Sequence, residues 1–486
     1  MSKELLKGFD KFINRGLKEM NVPGVAVAVI KDGEVILAEG YGFADLEKKT
    51  KMTADHILPI GSSSKAFTAT SVVMLAGEGK LDLDTPVREY MPEFQLSDPV
   101  ATVQATPRDI LCHRTGMPRH DLMWINWSSL ERRDVVSKYL KHLPANKPFR
   151  SVWQYQNHMF ASAGYLVEKI TGQTWEDFVR ERIFAPLKMK TATFRVKHPD
   201  KTGKYVTLYT ENKQGKCEAN VPLVIDGMGP AGSINATVRE MANWVIFNLN
   251  KGKVGDKALV DEKVFPELQK PNIPYVLSPI VIPEKKIGGY SLGWFVDCYR
   301  GEKLVEHGGN VIGASALVSM LPEKNMGCVI LTNAGGTQLT TAAAYDIYDR
   351  LLGVENGKNW VDFFVEATAP LKAAAKKQEK DFYDSKKKSK KMLHAAEEYL
   401  GIYSHPGYGD ITVYKEKKSD ALRLRYHDGD AALNHHHFDI FHFEMMQMPF
   451  PVSFKTSVKG EIESLSIQFE PQLPPSEFKK AEKIEQ

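Results

Sequence analysis

Residues 57–79 read ILPIGSSSKAFTATSVVMLAGEG. A strand-like ILPIG runs into Ser62-x-x-Lys65, and the apolar run after it has helical spacing and stops at Gly77. Residues three apart share a helix face, so Lys65 can reach back to the Ser62 hydroxyl. The helix N-terminus offers free N–H groups and positive potential to a developing oxyanion. Burial in apolar surroundings strips a lysine of its proton more easily, and a neutral lysine beside a serine is a base and nucleophile pair. Four residues alone leave another reading open, with Ser62 a helix cap and Lys65 a solvated side chain. Ser385–Lys388 and Ser476–Lys479 also match Ser-x-x-Lys, but both lie in Lys-rich segments where composition explains the match. No G-x-S-x-G elbow or HExxH occurs, and the glycine a phosphate loop needs before its lysine is absent.

Around that stretch the chain divides by pattern. Residues 24–30 (GVAVAVI) and 35–42 (VILAEGYG) form a predicted hairpin with its turn at Asp32-Gly33. Helical spacing recurs at 66–76, 158–170 and 236–249, and strand-like runs at 292–299, 314–321 and 327–333. Leu5, Leu6, Phe9, Phe12, Ile13 and Leu17 make an amphipathic first helix rather than a signal peptide. About 358–398 is rich in Lys, Ala and Glu and reads as a connecting helix. From 399 to 470, DITVYKE, ALRLRYH, HFDIFHFE, PVSFKTSV and EIESLSIQFE alternate apolar and polar residues. They predict five or six short strands in a meander or small barrel, with 472–486 a frayed tail. The expected units are 1–355, a linker at 356–398, and 399–486.

Composition bounds the function. The chain's 486 residues, 43% hydrophobic and 26% charged, exclude collagen-like, coiled-coil and wholly disordered classes. The four cysteines show no CxxC or zinc spacing and suit a reducing compartment, so a cytoplasmic location is expected. Of the net charge of +4, residues 372–391 supply nine Lys against Glu379, Asp381 and Asp384, or +6, leaving −2 elsewhere. A near-neutral protein with one Lys-rich segment is not built for nucleic acid. No run of about 18 apolar residues marks a membrane span.

Longer segments then carry a resemblance. NVPGVAVAVIKDGEVILAEGYGFADLE, ILPIGSSSKAFTA and LAGEGKLDLDTPVREYMPEF are followed by TPRDILCHRTGMP and the stretch from YQNHMFASAGYLVEKITGQTW to APLKM. GPAGSINATVREMANWVIFNLN and HGGNVIGASALVSMLPEKNMGCVILTN complete the set. Together, over about residues 5–353, they resemble the serine β-lactamase-related superfamily in its class C β-lactamase, penicillin-binding protein and esterase branch. Tyr155-Gln156-Asn157 is the one Tyr-x-Asn among eighteen tyrosines. His307-Gly308-Gly309 is the His-x-Gly that precedes a strand-like run. LNHHHFDIF and EYLGIYSHPGYGDITV resemble a lipocalin-like C-terminal domain.

The resemblance implies an α/β (α+β) fold, with an antiparallel sheet flanked by helices, an all-helical lobe, and an all-β barrel after them. It implies that Ser62 is acylated, that Lys65 accepts or relays its proton, and that Tyr155, lowered in pKa by a nearby ammonium, shares acid/base work. Asn157 would bind a substrate amide or carbonyl. His307 stands where penicillin-binding relatives often carry a lysine, so efficient β-lactam hydrolysis is not expected. Gly308 and Gly309 would let the strand approach the substrate, and the oxyanion would sit between the N–H groups of Ser62 and Asn310. Each such donor is worth about 2.7–4 kcal/mol of barrier. The implied substrate is a short D-amino-acid-containing peptide or a small ester. Acyl transfer to a small-molecule alcohol, or a non-catalytic assembly or binding role, is the alternative. No cofactor or metal is implied, and relatives of this two-domain kind include oligomers around a closed compartment. His435, His436, His437 and His442 invite a metal reading, but alternation along a strand splits the triplet between faces, and barrel-lining is expected. Trp124 and Trp127, in the loop at 120–134, either line a pocket or pack.

Overall fold

In the computed structural model, which describes residues 2–195, 203–276, 279–355, 357–387, 390–417, 419 and 421–481, the hairpin forms as the sequence predicts. Strands β1 (Gly24–Lys31) and β2 (Glu34–Asp45) meet at Asp32 (φ 53) and Gly33 (φ 81), the double left-handed turn that matches strand twist. With β3 (Thr50–Lys51), β4 (Lys285–Tyr290), β5 (Phe295–Tyr299), β6 (Glu302–Val311), β7 (Ala314–Leu321) and β8 (Met326–Thr332) they make an eight-stranded sheet. Its order is β4-β5-β6-β7-β8-β1-β2-β3, antiparallel throughout. The run expected from residue 292 becomes a strand only at Phe295, because Gly293 turns the chain (φ 75).

The continuous apolar run of β1 is explained by cores on both faces. Val25, Val27 and Val29 face one core with helices α1 (Phe9–Glu19) and, late in the chain, Leu339–Leu351. Ala26, Ala28 and Ile30 face the other, against Met241 and Val245 of Val238–Leu249. Two further helices build the lobe that carries the site: α2 (Ser64–Gly77) and α3 (Asn157–Thr171). Every residue of α2 from Ser64 to Leu75 is buried, which a helix tolerates only inside a lobe. The connecting helix spans Trp360–Asp384; Trp360, Val361 and Phe364 anchor its first turns, while its Lys-rich half is solvated and paired at Lys377–Asp381 and Lys380–Asp384. Among the described residues no helix is long and apolar enough to cross a membrane.

The C-terminal unit holds nine strands where five or six were expected, joined as a nearly closed barrel. HFDIFHFE is not one strand: Phe438 takes a left-handed φ of 52 and splits it into Asn434–His437 and Ile440–Met445. Nor is the end frayed over its described part, since Ser476–Lys480 pairs with both Gly401–His405 and Ile462–Ile467; residues 482–486 lie outside the described residues, as does Lys388. Phe478 drives that pairing, fully buried beside Phe469 and His405. His436 is also buried, stacked on Phe382 (4.7 Å) with Nε2 against Ser385 Oγ at 3.0 Å, so the triplet seals the connecting helix to the barrel. Among the described residues no group of three or more His, Cys, Asp or Glu side chains is placed to hold a metal ion.

Phe478→Ala should destabilise the barrel by about 3–5 kcal/mol, seen as a lower urea midpoint. An unchanged midpoint would return the segment to the status of a tail.

Candidate active site

The turn bearing Ser62 is pressed against β6. Leu58–Pro59 pairs with Asn235–Ala236, and the chain then turns at Gly61 (φ 51) into a 3-10 turn and α2. A Cβ on Gly61 would come 2.8 Å from Asn310 N; one on Gly309 would fall 1.9 Å from Ile60 O and 2.9 Å from Ser62 N. Only glycine at 309 lets the strand lie this close, and the contact brings the Ser62 and Asn310 N–H groups to one seam. Ser63 Oγ stitches it by donating to His307 O (2.8 Å).

Lys65 follows one helical turn after Ser62, with its amine wholly out of water. Nζ lies 3.1 Å from Ser62 Oγ, 2.7 Å from Asn157 Oδ1 and 2.8 Å from Ala231 O. Burial holds its pKa well below the ordinary lysine value; the nearby Arg119 charge pushes the same way and Asp121 opposes. In the neutral amine two N–H groups satisfy Asn157 and Ala231 while the lone pair faces the Ser62 hydroxyl.

Tyr155 departs from expectation. Its phenol is raised, not lowered: desolvation outweighs the hydrogen bond with Ser62 and the Arg119 guanidinium, which lies 4.8 Å from the ring centroid. The Lys65 amine sits over the ring face at 4.7 Å, where it does not draw the hydroxyl proton off. Tyr155 is therefore a neutral acid.

Asn157 opens α3 and is engaged at both ends, accepting from Lys65 and donating through Nδ2 to Asp121 Oδ1 (2.8 Å). It borders the cleft, and its polar atoms hold Lys65 and Asp121. His307 is not among the residues that line the cleft. It is 1% exposed, with Nδ1 at 2.6 Å from Gly308 O and Nε2 at 3.0 Å from Tyr290 OH. Those partners assign the Nδ1–H tautomer with Nε2 accepting from the phenol. Burial pushes its pKa down to about 3, so it is neutral. Asn310 borders the cleft, its Oδ1 accepting from Ser315 Oγ (2.6 Å).

Sequence reasoning missed Arg119 and Asp121. They pair with each other (2.6 Å), and Asp121 Oδ1 also accepts from Trp124 Nε1 (3.1 Å). Both lie in a loop without periodicity, and the one signal was their position directly after the TGMP stretch. Trp124 lines the cleft, whereas Trp127 stacks on His427 of the barrel (4.1 Å). The cleft above Ser62 holds about 910 Å³. Trp124, Phe194, Leu208 and Met228 give it apolar walls, and Met446 and Gln447 of a barrel hairpin close its far side.

A model of the beta-lactamase family matches residues 9–351, and a domain of unknown function matches 385–480. The chain is 29% identical to an unguisins hydrolase of Aspergillus violaceofuscus, over 96% of this chain and 88% of the relative. In fold it is similar to the octameric penicillin-binding protein homologue from Pyrococcus abyssi, with 21% identity, TM-score 0.63, 98% of this chain and 100% of that one. It is similar also to a D-amino acid amidase from Ochrobactrum anthropi, with 22% identity, TM-score 0.58, 72% of this chain and 98% of that one. With the family model spanning most of its length, the chain belongs to the beta-lactamase family of serine hydrolases.

Proposed function

We propose that the chain hydrolyses amide or ester bonds through an acyl-enzyme on Ser62, with short peptides containing D-residues as the leading substrate class and small esters next. The observation that carries this reading is the buried Lys65 amine 3.1 Å from Ser62 Oγ, with its proton affinity depressed by desolvation. Neutral Lys65 takes the Ser62 proton as Oγ attacks the carbonyl carbon. The carbonyl oxygen becomes an oxyanion facing the Ser62 and Asn310 N–H groups. The Tyr155 phenol gives its proton to the leaving nitrogen or oxygen and recovers one from Lys65. Water then attacks the acyl carbonyl by the same route in reverse and frees Ser62. The unguisins hydrolase and D-amino acid amidase likenesses support amide bonds. The apolar cleft walls favour a substrate with hydrophobic side chains. A neutral, buried His307 supplies no cation for a β-lactam carboxylate, so penicillin should be a poor substrate. The octameric neighbour makes self-association part of the same proposal.

Intact-protein mass spectrometry tests the nucleophile. Wild type incubated with an activated ester or a D-amino-acid amide should gain the acyl mass or turn the compound over, and Ser62→Ala should do neither. Label or turnover surviving in Ser62→Ala would sink the assignment.

The pH profile tests the base. Because neutral Lys65 is the active form, acylation should rise with pH through a midpoint well below the ordinary lysine value of 10.5. Lys65→Ala should slow it about 10²–10⁴-fold. His307→Gln should leave the profile between pH 5 and 8 unmoved, since burial holds the His307 imidazole neutral across that range. An inflection near 6.5 that vanishes in that variant would contradict the neutral-imidazole assignment.

A further inference from the structure

We infer that the C-terminal barrel is a positioning element of the Ser62 site, acting through His120. The inference rests on the reading of Ser62 and Lys65 given above. His120 lies between Arg119 and Asp121, completely buried, with a left-handed backbone (φ 49). A histidine keeps that conformation only where its surroundings over-determine it. Beyond the local bond from Met123 N to its carbonyl (3.0 Å), it makes three polar contacts, and two of them come from the barrel. Tyr408 OH lies 2.6 Å from Nδ1, and the backbone N–H donates to Glu470 Oε2 at 3.1 Å. The third, Nε2 to Pro144 O at 2.9 Å, assigns Nε2–H and makes Nδ1 the acceptor of the Tyr408 hydroxyl.

The same strap is held by the barrel further on. Tyr426 OH donates to Leu122 O (2.9 Å), Asp428 N donates to Asn126 O (2.7 Å), and Ser128 N donates to Asp428 Oδ2 (2.7 Å). On its inner side the strap places Arg119 over Tyr155 and Asp121 on Asn157. Asn157 in turn holds Lys65, and Lys65 meets Ser62. A continuous set of contacts thus runs from Tyr408 and Glu470 through His120, Asp121, Asn157 and Lys65 to Ser62. Release of His120 on the barrel side lets its backbone relax, swings Asp121 off Asn157, and leaves the Lys65 amine loosely aimed. His120 is a positioning residue: it touches no reacting atom.

The test uses the full chain and removes one oxygen. Tyr408→Phe should lower the acylation rate constant with an activated ester about tenfold, the worth of one hydrogen bond, with substrate binding and melting temperature little changed. His120→Asn, which keeps an acceptor and tolerates the left-handed backbone, should acylate near the wild-type rate, whereas His120→Ala should fall at least as far as Tyr408→Phe. Tyr414→Phe, which removes a barrel hydroxyl bonded to Asp430 within the barrel, is the control and should be silent. The ¹⁵N resonance of Lys65 Nζ, read without substrate, should move in Tyr408→Phe and stay in Tyr414→Phe. Wild-type acylation and an unmoved Lys65 signal in Tyr408→Phe would overturn the inference. If wild type itself is not acylated at Ser62, the hydrolase mechanism fails, and the Lys65 signal still decides whether barrel and site are coupled.

Discussion

An amine taken out of water must be paired or give up its charge, and at Lys65 the protein meets that demand with two carbonyl-type acceptors, the Ser62 hydroxyl and no carboxylate in contact. A direct carboxylate partner would fix the proton on Lys65. Amide and carbonyl oxygens satisfy the N–H groups without doing so, and the nearest acid, Asp121, reaches Lys65 only through Asn157. Much of the surrounding structure serves this arrangement. Helix α2 is buried all round so that Lys65 meets no solvent, and Ala231 presents its carbonyl from a turn that also binds Thr68 through Pro230 O (2.7 Å). Gly61 and Gly309 let the sheet edge reach the serine that the amine faces.

The same electrostatic outcome, a basic group held neutral by burial, recurs at His307. Tyr290, Phe295 and Tyr155 wrap the imidazole, with ring centroids 5.9, 5.2 and 6.3 Å away. A second cation beside Lys65 would depress the amine further but would also need solvation that this aromatic box denies it. A neutral His307 is therefore consistent with a neutral Lys65, and the positive charge nearest Tyr155 is moved outward to Arg119, half in solvent and paired with Asp121.

The sequence was most readable where one period or one glycine decided the outcome. The Asp32-Gly33 hairpin, the helix from Ser64 and the approach of Lys65 to Ser62 all follow from spacing within a few residues. What it concealed depends on distance in the chain. Arg119 and Asp121 meet Tyr155 and Asn157 only because a loop folds over them, and no local pattern encodes that. The direction of the Tyr155 shift escapes the sequence because a nearby cation is visible as a motif while burial against His113 and Trp153 is not. In the barrel, Phe438 interrupts an alternation that otherwise looks unbroken, and a single buried Phe478 turns a polar-looking end into a strand.

The barrel's interior narrows what that domain can contribute. Tyr403, Ile411, Leu424, Phe441, Phe454, Leu465 and Phe478 point inward and are buried to 6% exposure or less, and Tyr399 packs edge-on against Phe441 and Phe454 at 5.0 and 4.9 Å. Side chains fill this core. Its contacts with the catalytic unit come from its rim. The hairpin at Met445–Gln447 reaches the cleft, with Gln447 Nε2 donating to Glu211 O (3.0 Å), and Tyr408, Tyr426, Asp428 and Glu470 grip the strap that carries Arg119 and Asp121. Both contacts require the barrel to be rigid and to be docked. A packed aromatic core supplies the first, and a hydrophobic cluster continuous with that of the helical lobe supplies the second.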